Sequence, residues 1–231
     1  MMDVLFQIDR QMLLFFNGSD SLFIDGMAST LTMALTWIPL YVSLFWLVMR
    51  NNENMRQILL VVMACAMCFL LSDGLAEGIM KPLVARLRPC QDPSLKLYVD
   101  TVEGFSPGDY SFFSGHASNT FSIAIFFALL VRQRTFTFFM VAWSLVNCWT
   151  RLYLGLHFPS DILAGLLWGG IVGFCVYLFY QRFYQLVGTK LNFVSTHYTS
   201  TGYALVDLNV VNTVMVLTFI YAVIRSVIIA L

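Results

Sequence analysis

The sequence predicts an all-α polytopic membrane protein: six transmembrane helices preceded by an N-terminal helix lying in the interface, in a single domain over residues 1–231. Three observations lead there. Hydrophobic residues make up 59% of the chain and charged residues 11%, where an ordinary soluble domain carries roughly a quarter charged residues. Mean hydropathy is +0.76. Charge-poor windows recur at the length of about 17 to 25 residues with which a helix crosses a bilayer. No linker divides these windows, and no internal repeat or low-complexity tract appears among them. Thirteen basic residues balance thirteen acidic ones, so the chain lacks the basic excess of a nucleic-acid binder.

The elements follow in order. Asp3 to Asn17 (DVLFQIDRQMLLFFN) mixes Phe and Leu with Asp9 and Arg10, which suits a helix lying among lipid headgroups. The first 30 residues have no basic start and no clean apolar run, so no cleavable signal peptide is expected. Five windows have spanning length: Leu31 to Met49, Gln57 to Met80, Thr135 to Tyr153, Phe158 to Tyr180 and Val210 to Leu231. A sixth, Ala117 to Val131, is short, and is expected to begin below the membrane surface where the polar residues before it line a cavity.

Lys and Arg in the loops set orientation. The connections after the first, third and fifth spans carry Arg50, Arg56, Arg132, Arg134, Arg182 and Lys190. The opposite connections carry Arg10, Lys81, Arg86, Arg88, Lys96 and Arg151, which ties the raw count. Assigning Lys81, Arg88 and Arg151 to a binding site breaks the tie in favour of cytoplasmic loops after spans one, three and five. Both termini are then expected outside the cytoplasm, with Lys81 to Phe113 and Arg151 to Phe158 on that same side.

Three clusters lie there. In TRLYLGLHFPSD, Arg151, His157 and Asp161 form R-x5-H-x3-D, and the His and Asp sit four apart at the start of a predicted helix, on one face. A carboxylate beside an imidazole fixes its tautomer and leaves the other nitrogen free to attack. In DYSFFSGHASNTF, Ser114 and Gly115 lead into a helix whose N-terminal N–H groups can face an anion, with His116 beside it. In KPLVARLRP, Lys81 and Arg88 aim two cations at one site, and the planar guanidinium suits phosphate. Taken alone, two basic residues at a helix end anchor it among headgroups, and a histidine near an interface is solvated. The conjunction carries the chemistry: all three clusters share one side and hold two of the chain's three histidines.

The ordered blocks K-x6-R-P, S-G-H and R-x5-H-x3-D resemble those of the type 2 phosphatidic acid phosphatase superfamily, over roughly residues 73–173. Two positions depart from its usual pattern: Phe113 stands in place of Pro, and Thr150 in place of Ser, keeping the hydroxyl. The resemblance implies a metal-independent lipid phosphatase without a cofactor. His157 would be the nucleophile forming a phosphohistidine, Asp161 would orient it, and His116 would protonate the leaving oxygen and then activate water. Lys81, Arg88, Arg151, Ser114 and the Gly115 backbone would hold the phosphoryl oxygens. The compact chain suggests a bacterial cytoplasmic (inner) membrane protein whose site faces the periplasm. A pocket at the membrane surface favours a lipid phosphate. Undecaprenyl diphosphate ranks first, with phosphatidylglycerophosphate, phosphatidic acid and the 1-phosphate of lipid A as alternatives. The loop CQDPSLKLYVDTVEGFSPGDY either shapes headgroup choice or is a solvated connector.

Two other classes compete. The related haloperoxidases hold vanadate in the same pocket but are soluble, which the spans oppose. A lipid transporter or non-catalytic lipid-phosphate binder needs no paired histidines, and a transporter would be expected to show internal repeats. Elsewhere, Asp73 and Glu77 are costly in lipid and face either the basic pocket or the helix packing. Arg225 pairs with a carboxylate or snorkels outward. Cys65 and Cys68 read as packing, Cys90 as a lone thiol near the outer face, and His197 has no assigned role.

Overall fold

The computed structural model describes residues 2–102, 108, 110–187 and 196–231, with side chains from Phe6 onward. Lys190 and the loop residues 103–107 and 109 lie outside the described residues. The described secondary structure is helical: α1 (Met2–Phe16), α2 (Leu22–Thr32), a 3-10 turn (Ala34–Trp37), α3 (Ile38–Arg50), α4 (Met55–Leu75), a π-helical turn (Ala76–Met80), α5 (Lys81–Val84), α6 (Gly115–Val131), α7 (Arg134–Tyr153), α8 (Pro159–Val187) and α9 (Leu205–Ala230). Two isolated bridges, Leu87 with Tyr110 and Tyr198 with Ala204, are the β-type pairings among the described residues.

Three helical runs are long and apolar enough to cross a membrane: Met55–Val84, Pro159–Leu186 and Leu205–Ala230. A fourth is reached if Leu22–Thr32 and Ala34–Arg50, bent by 69° at Met33, count as one broken span. This corrects the expected window Leu31 to Met49, which fused the end of α2 with α3. Asp25, Ser29, Thr30 and Thr32 hide the apolar character of α2. Six spans are not reached by length and composition. α6 has 17 residues, and α7 turns Ser144, Asn147, Thr150 and Arg151 inward, where they are buried.

Polar groups support the break at Met33. The Thr30 carbonyl accepts from the Thr36 hydroxyl at 2.6 Å, the Leu31 carbonyl from Trp37 Nε1 at 2.8 Å, and the Thr32 carbonyl from Arg151 Nη2 at 3.2 Å. Carbonyls released by a helix end and buried must find such donors.

Side-chain caps open α4 and α6. Asn54 accepts from the Gln57 amide at 3.0 Å while Gln57 accepts from the Glu53 amide at 2.9 Å, opening α4. Ser114 accepts from the Ala117 amide at 3.3 Å, opening α6. The π turn lies just ahead of Pro82, which has no N–H to donate to the preceding turn, and the widened turn absorbs that loss.

α6 is central, flanked by α8, α7 and α4, while α9 covers α2 and α3. Its closest approach is to α8, along Gly165, Gly169 and Gly173. A Cβ there would stand 2.6 Å from the Ser114 carbonyl, 2.5 Å from that of Ser118 and 2.5 Å from that of Ser122. Any side chain would force these backbones apart. The aliphatic and aromatic core lies around Phe126, Phe136, Met140, Leu40 and Leu47. At one end of the bundle Asn51 ties α3 to α9, donating to Asp207 at 2.9 Å and accepting from the Ala204 amide at 2.8 Å. The three sequence clusters gather at the other end.

Candidate active site

The polar end is built from helix termini. α5 stops at Ala85, in the left-handed conformation (φ 47), whose amide donates to the Lys81 carbonyl at 2.9 Å. This turns the chain so that Arg88 folds back beneath the helix. The Leu87–Tyr110 bridge, together with the Ser111 amide donating to the Arg86 carbonyl at 2.8 Å, holds this stretch against the segment entering α6. The Ser114 amide then donates to the Asp161 carbonyl at 3.1 Å, joining the start of α6 to the first turn of α8. The glycine contacts lower down keep those helices close enough for that bond.

These connections bring the expected residues together. Lys81, Arg88 and Arg151 are each 8% exposed, His157 is 3% exposed, and Ser114 and Asp161 are fully buried. Three buried cations in so apolar a protein are costly unless paired or waiting for an anion. Lys81 pairs with Glu77. Arg88 donates from Nε to the Gly108 carbonyl at 2.9 Å and from Nη1 to the Leu156 carbonyl at 3.2 Å, and the same Nη1 stands 3.4 Å from His157 Nε2. Arg151 donates to the Thr32 carbonyl, and its buried Nε has no hydrogen-bond partner among the described residues. His116 is exposed at the first turn of α6, within electrostatic reach of Arg151, His157, Lys81 and Arg88.

The His157–Asp161 pair is looser than the spacing suggested. Nδ1 lies 3.8 Å from Asp161 Oδ2, beyond hydrogen-bond distance, and is buried without a hydrogen-bond partner among the described residues. Oδ2 instead accepts from the Phe158 amide at 2.9 Å. Closing the gap needs a movement of about 1 Å, on the scale by which catalytic hydrogen bonds tighten when substrate binds. Burial pushes the His157 imidazole down to about 4, with Asp161 opposing and Arg88 and Arg151 reinforcing the shift. The ring is therefore neutral at neutral pH, with a lone pair to give.

Ser114 Oγ is occupied as the cap of α6, so its contribution to an anion passes through helix position. Gly115 and His116 bring first-turn N–H groups, which have no intrahelical carbonyl to bond. A Cβ on Gly115 would meet the Asp73 and Glu77 carboxylates at 3.3 and 3.4 Å. Asp73 also accepts from Asn119 at 3.0 Å. Both acids thus belong to the wall of the basic pocket. Arg225 lies away from it, on α9 beside Met33, with a sulfur contact at 3.9 Å. Cys68 packs with its sulfur 4.0 Å from the Ser122 carbonyl.

Two features escaped the sequence reading. Arg86, counted there as a loop charge, donates to Asp161 Oδ1 at 2.8 Å. The G-x3-G-x3-G spacing of Gly165, Gly169 and Gly173 was visible in the sequence as a helix-packing signal.

The PAP2 superfamily pattern matches residues 56–185. A lipid A 4′-phosphatase of Bacteroides thetaiotaomicron is 40% identical over 179 residues, covering 77% of this chain and 79% of that protein. A lipid A 4′-phosphatase of Porphyromonas gingivalis is 33% identical over 181 residues, 78% of this chain and 75% of its own length. An undecaprenyl-diphosphatase of Bacillus subtilis is 34% identical over 71 residues, 31% of this chain and 36% of that one. No solved structure matches the chain significantly.

Proposed function

We propose, for a chain that belongs to the PAP2 superfamily and is a membrane lipid phosphatase, that it removes the 4′-phosphate from lipid A through a phosphohistidine. Two relatives that each cover three quarters or more of this chain carry the lipid A 4′-phosphatase name. The undecaprenyl-diphosphatase matches reach only 31% and 36% of the chain. Lipid A therefore moves ahead of undecaprenyl diphosphate, which sequence reading ranked first.

The observation that carries the chemistry is the neutral, buried imidazole of His157, with the Arg88 guanidinium 3.4 Å from Nε2 and the Asp161 carboxylate on the Nδ1 side. Nε2 attacks phosphorus, a P–N bond forms as the bond to the lipid oxygen breaks, and Nδ1–H is stabilised by Asp161. His116 gives a proton to the departing oxygen, its charged form becoming available as the bound phosphate offsets the repulsion from Arg151, His157, Lys81 and Arg88. It then takes a proton from water, whose oxygen attacks phosphorus and breaks the P–N bond, releasing inorganic phosphate. Lys81, Arg88, Arg151 and the first-turn amides of α6 hold the equatorial oxygens through both steps.

α6 and α7 complete a six-crossing bundle in this reading, since each runs between the Asn51 end and the site end beside spanning helices. The site end faces away from the cytoplasm, following the loop charges. Phosphate release from lipid A, undecaprenyl diphosphate, phosphatidylglycerophosphate and phosphatidic acid, with mass analysis of the lipid product and His157→Ala alongside, tests the reading. Loss of the 4′-phosphate that vanishes in the variant is expected. Release from undecaprenyl diphosphate without release from lipid A would overturn the substrate, and an active His157→Ala would overturn the intermediate.

A further inference from the structure

Arg86 lies inside the K-x6-R-P block without being one of its named positions, yet its guanidinium makes three side-chain hydrogen bonds at this end. Nη1 donates to Asp161 Oδ1 at 2.8 Å and to Ser160 Oγ at 2.7 Å, and Nη2 donates to Asp9 Oδ2 at 2.6 Å. The guanidinium carbon sits 3.8 Å from the Phe158 ring centroid, a stacking contact that fixes its plane. Asp9, on α1, also accepts from the Ser160 amide at 2.8 Å and hydroxyl at 2.6 Å. The side chains of Arg86, Asp9 and Asp161 are 18%, 9% and 0% exposed, so these bonds are shielded from water and worth more than surface pairs.

This arrangement dictates how Asp161 can turn. One oxygen is held by Arg86 and the other by the Phe158 amide. The plane of the carboxylate is set before substrate arrives, with Oδ2 facing His157 Nδ1. Asp9 matters because Arg86 serves two carboxylates: by drawing part of the guanidinium, it leaves Asp161 charge to spend on the imidazole. α1 reaches this position because one face buries Asp9 and Leu13, while Phe6, Ile8, Met12 and Phe15 stay exposed and apolar on the outside.

We propose that Arg86, held by Asp9 of the N-terminal helix, is a positioning residue that sets Asp161 and through it the His157 ring, making α1 a working part of the active site. The inference rests on the reading of His157 as nucleophile. Among the described residues, the groups facing His157 are Asp161 from α8, Arg151 from α7, His116 from α6 and Arg88 from the stretch after α5, with Arg86 and Asp9 one step behind.

The test measures phosphate release from lipid A micelles by the full chain and by Arg86→Gln, Arg86→Lys, Asp9→Asn and Asp9→Asn/Arg86→Gln, with His157→Ala as control. Misplacing a catalytic group by about 1 Å costs on the order of 100-fold in rate. Arg86→Gln is expected to lower kcat by about that factor while KM stays within about two-fold. Arg86→Lys should recover part of the loss, and Asp9→Asn should cost less than Arg86→Gln. The double variant should be no worse than Arg86→Gln alone, because Asp9 acts through Arg86.

The acid limb of kcat/KM gives a readout that a strut would not move. Removing the Arg86 charge strengthens Asp161 as a partner for protonated His157, so the limb should shift upward from about pH 4. Arg86→Gln with the kcat and limb of the full chain overturns the proposal, as does additivity in the double variant. If Arg86→Gln does not fold, judged by its thermal transition, Asp9→Asn decides: an unchanged kcat overturns the proposal and a lowered kcat with unchanged KM supports it. An active His157→Ala instead overturns the reading beneath it, so the two failures are distinct.

Discussion

Gly165→Ala tests whether the α6–α8 contact holds the phosphate cradle in place. The new Cβ would lie 2.6 Å from the Ser114 carbonyl and 3.0 Å from the Ala117 Cβ. Ordinary contact begins near 3.4 Å, so the start of α6 must retreat by 3.4 − 2.6 = 0.8 Å. The substitution also gains about 0.8 to 1.0 kcal/mol of helix propensity. Overpacking costs about 1 to 3 kcal/mol, and the obstacle is backbone rather than a flexible side chain, so the net effect is destabilising. The 0.8 Å falls on the segment whose Ser114 amide bonds the Asp161 carbonyl. A kcat loss on the order of 10- to 100-fold is therefore expected on top of the lowered thermal transition. Two partners separate these effects. Gly173→Ala meets the Ser122 carbonyl at 2.5 Å, far from the site, and should lose stability with less loss of kcat. Gly74→Ala has no described neighbour within 4 Å of the new Cβ and should be neutral or stabilising. Thermal unfolding in detergent and phosphate release on the same preparations measure both quantities. A Gly165→Ala protein with unchanged kcat and transition would refute the claim that this contact positions the site.

Other outcomes are expected from the same geometry. With His157 held down to about 4, the folded enzyme keeps it neutral between that value and the ordinary pH of about 6.5, where a solvated histidine protonates. kcat/KM should thus show no limb from this residue near pH 6.5, and a loss only as pH falls through about 4; a pH–rate profile in buffered micelles checks it. His116→Ala should lose less activity on an aryl phosphate, whose leaving group needs no proton, than on a lipid phosphate, and should show a burst of phenol as the phosphohistidine waits for water. Lys81→Met should raise KM for lipid phosphate by about 10-fold or more, since it removes a cation and leaves Glu77 unpaired at the mouth; steady-state kinetics read it directly.

The candidate site was more legible in the sequence than the fold around it. Lys81, Arg88, Ser114, His116, Arg151, His157 and Asp161 declare themselves because each block is local: residues a few positions apart on a helix end must lie together. Arg86 was not legible, because its meaning depends on Asp9, 77 positions away. The helix boundaries failed where polar residues satisfy one another at long range. Asp25 accepts from the Tyr153 hydroxyl at 2.6 Å, which lets a carboxylate sit in α2, and the hydropathy pattern has no access to that bond. The same holds at the last span, where Asp207 and Asn209 concealed the start of α9 at Leu205, and Asp207 is bonded by Asn51. Extents fared best where the flanks are abrupt, as at Val131, after which Arg132 takes the left-handed conformation and ends α6.

Under the proposed mechanism, the Arg151 bond to the Thr32 carbonyl ties catalysis to assembly. That guanidinium shuts the open end of α2, and it lines the anion pocket from the same position. Shortening it would strand a buried carbonyl as well as a phosphoryl oxygen, so a variant at Arg151 confounds lost activity with a loosened hinge at Met33. A membrane span can tolerate a 69° corner only while something mends the torn backbone. Here Thr36, Trp37 and Arg151 share the mend, and under the proposed mechanism the repertoire open at Arg151 is narrowed by a demand that has nothing to do with phosphate.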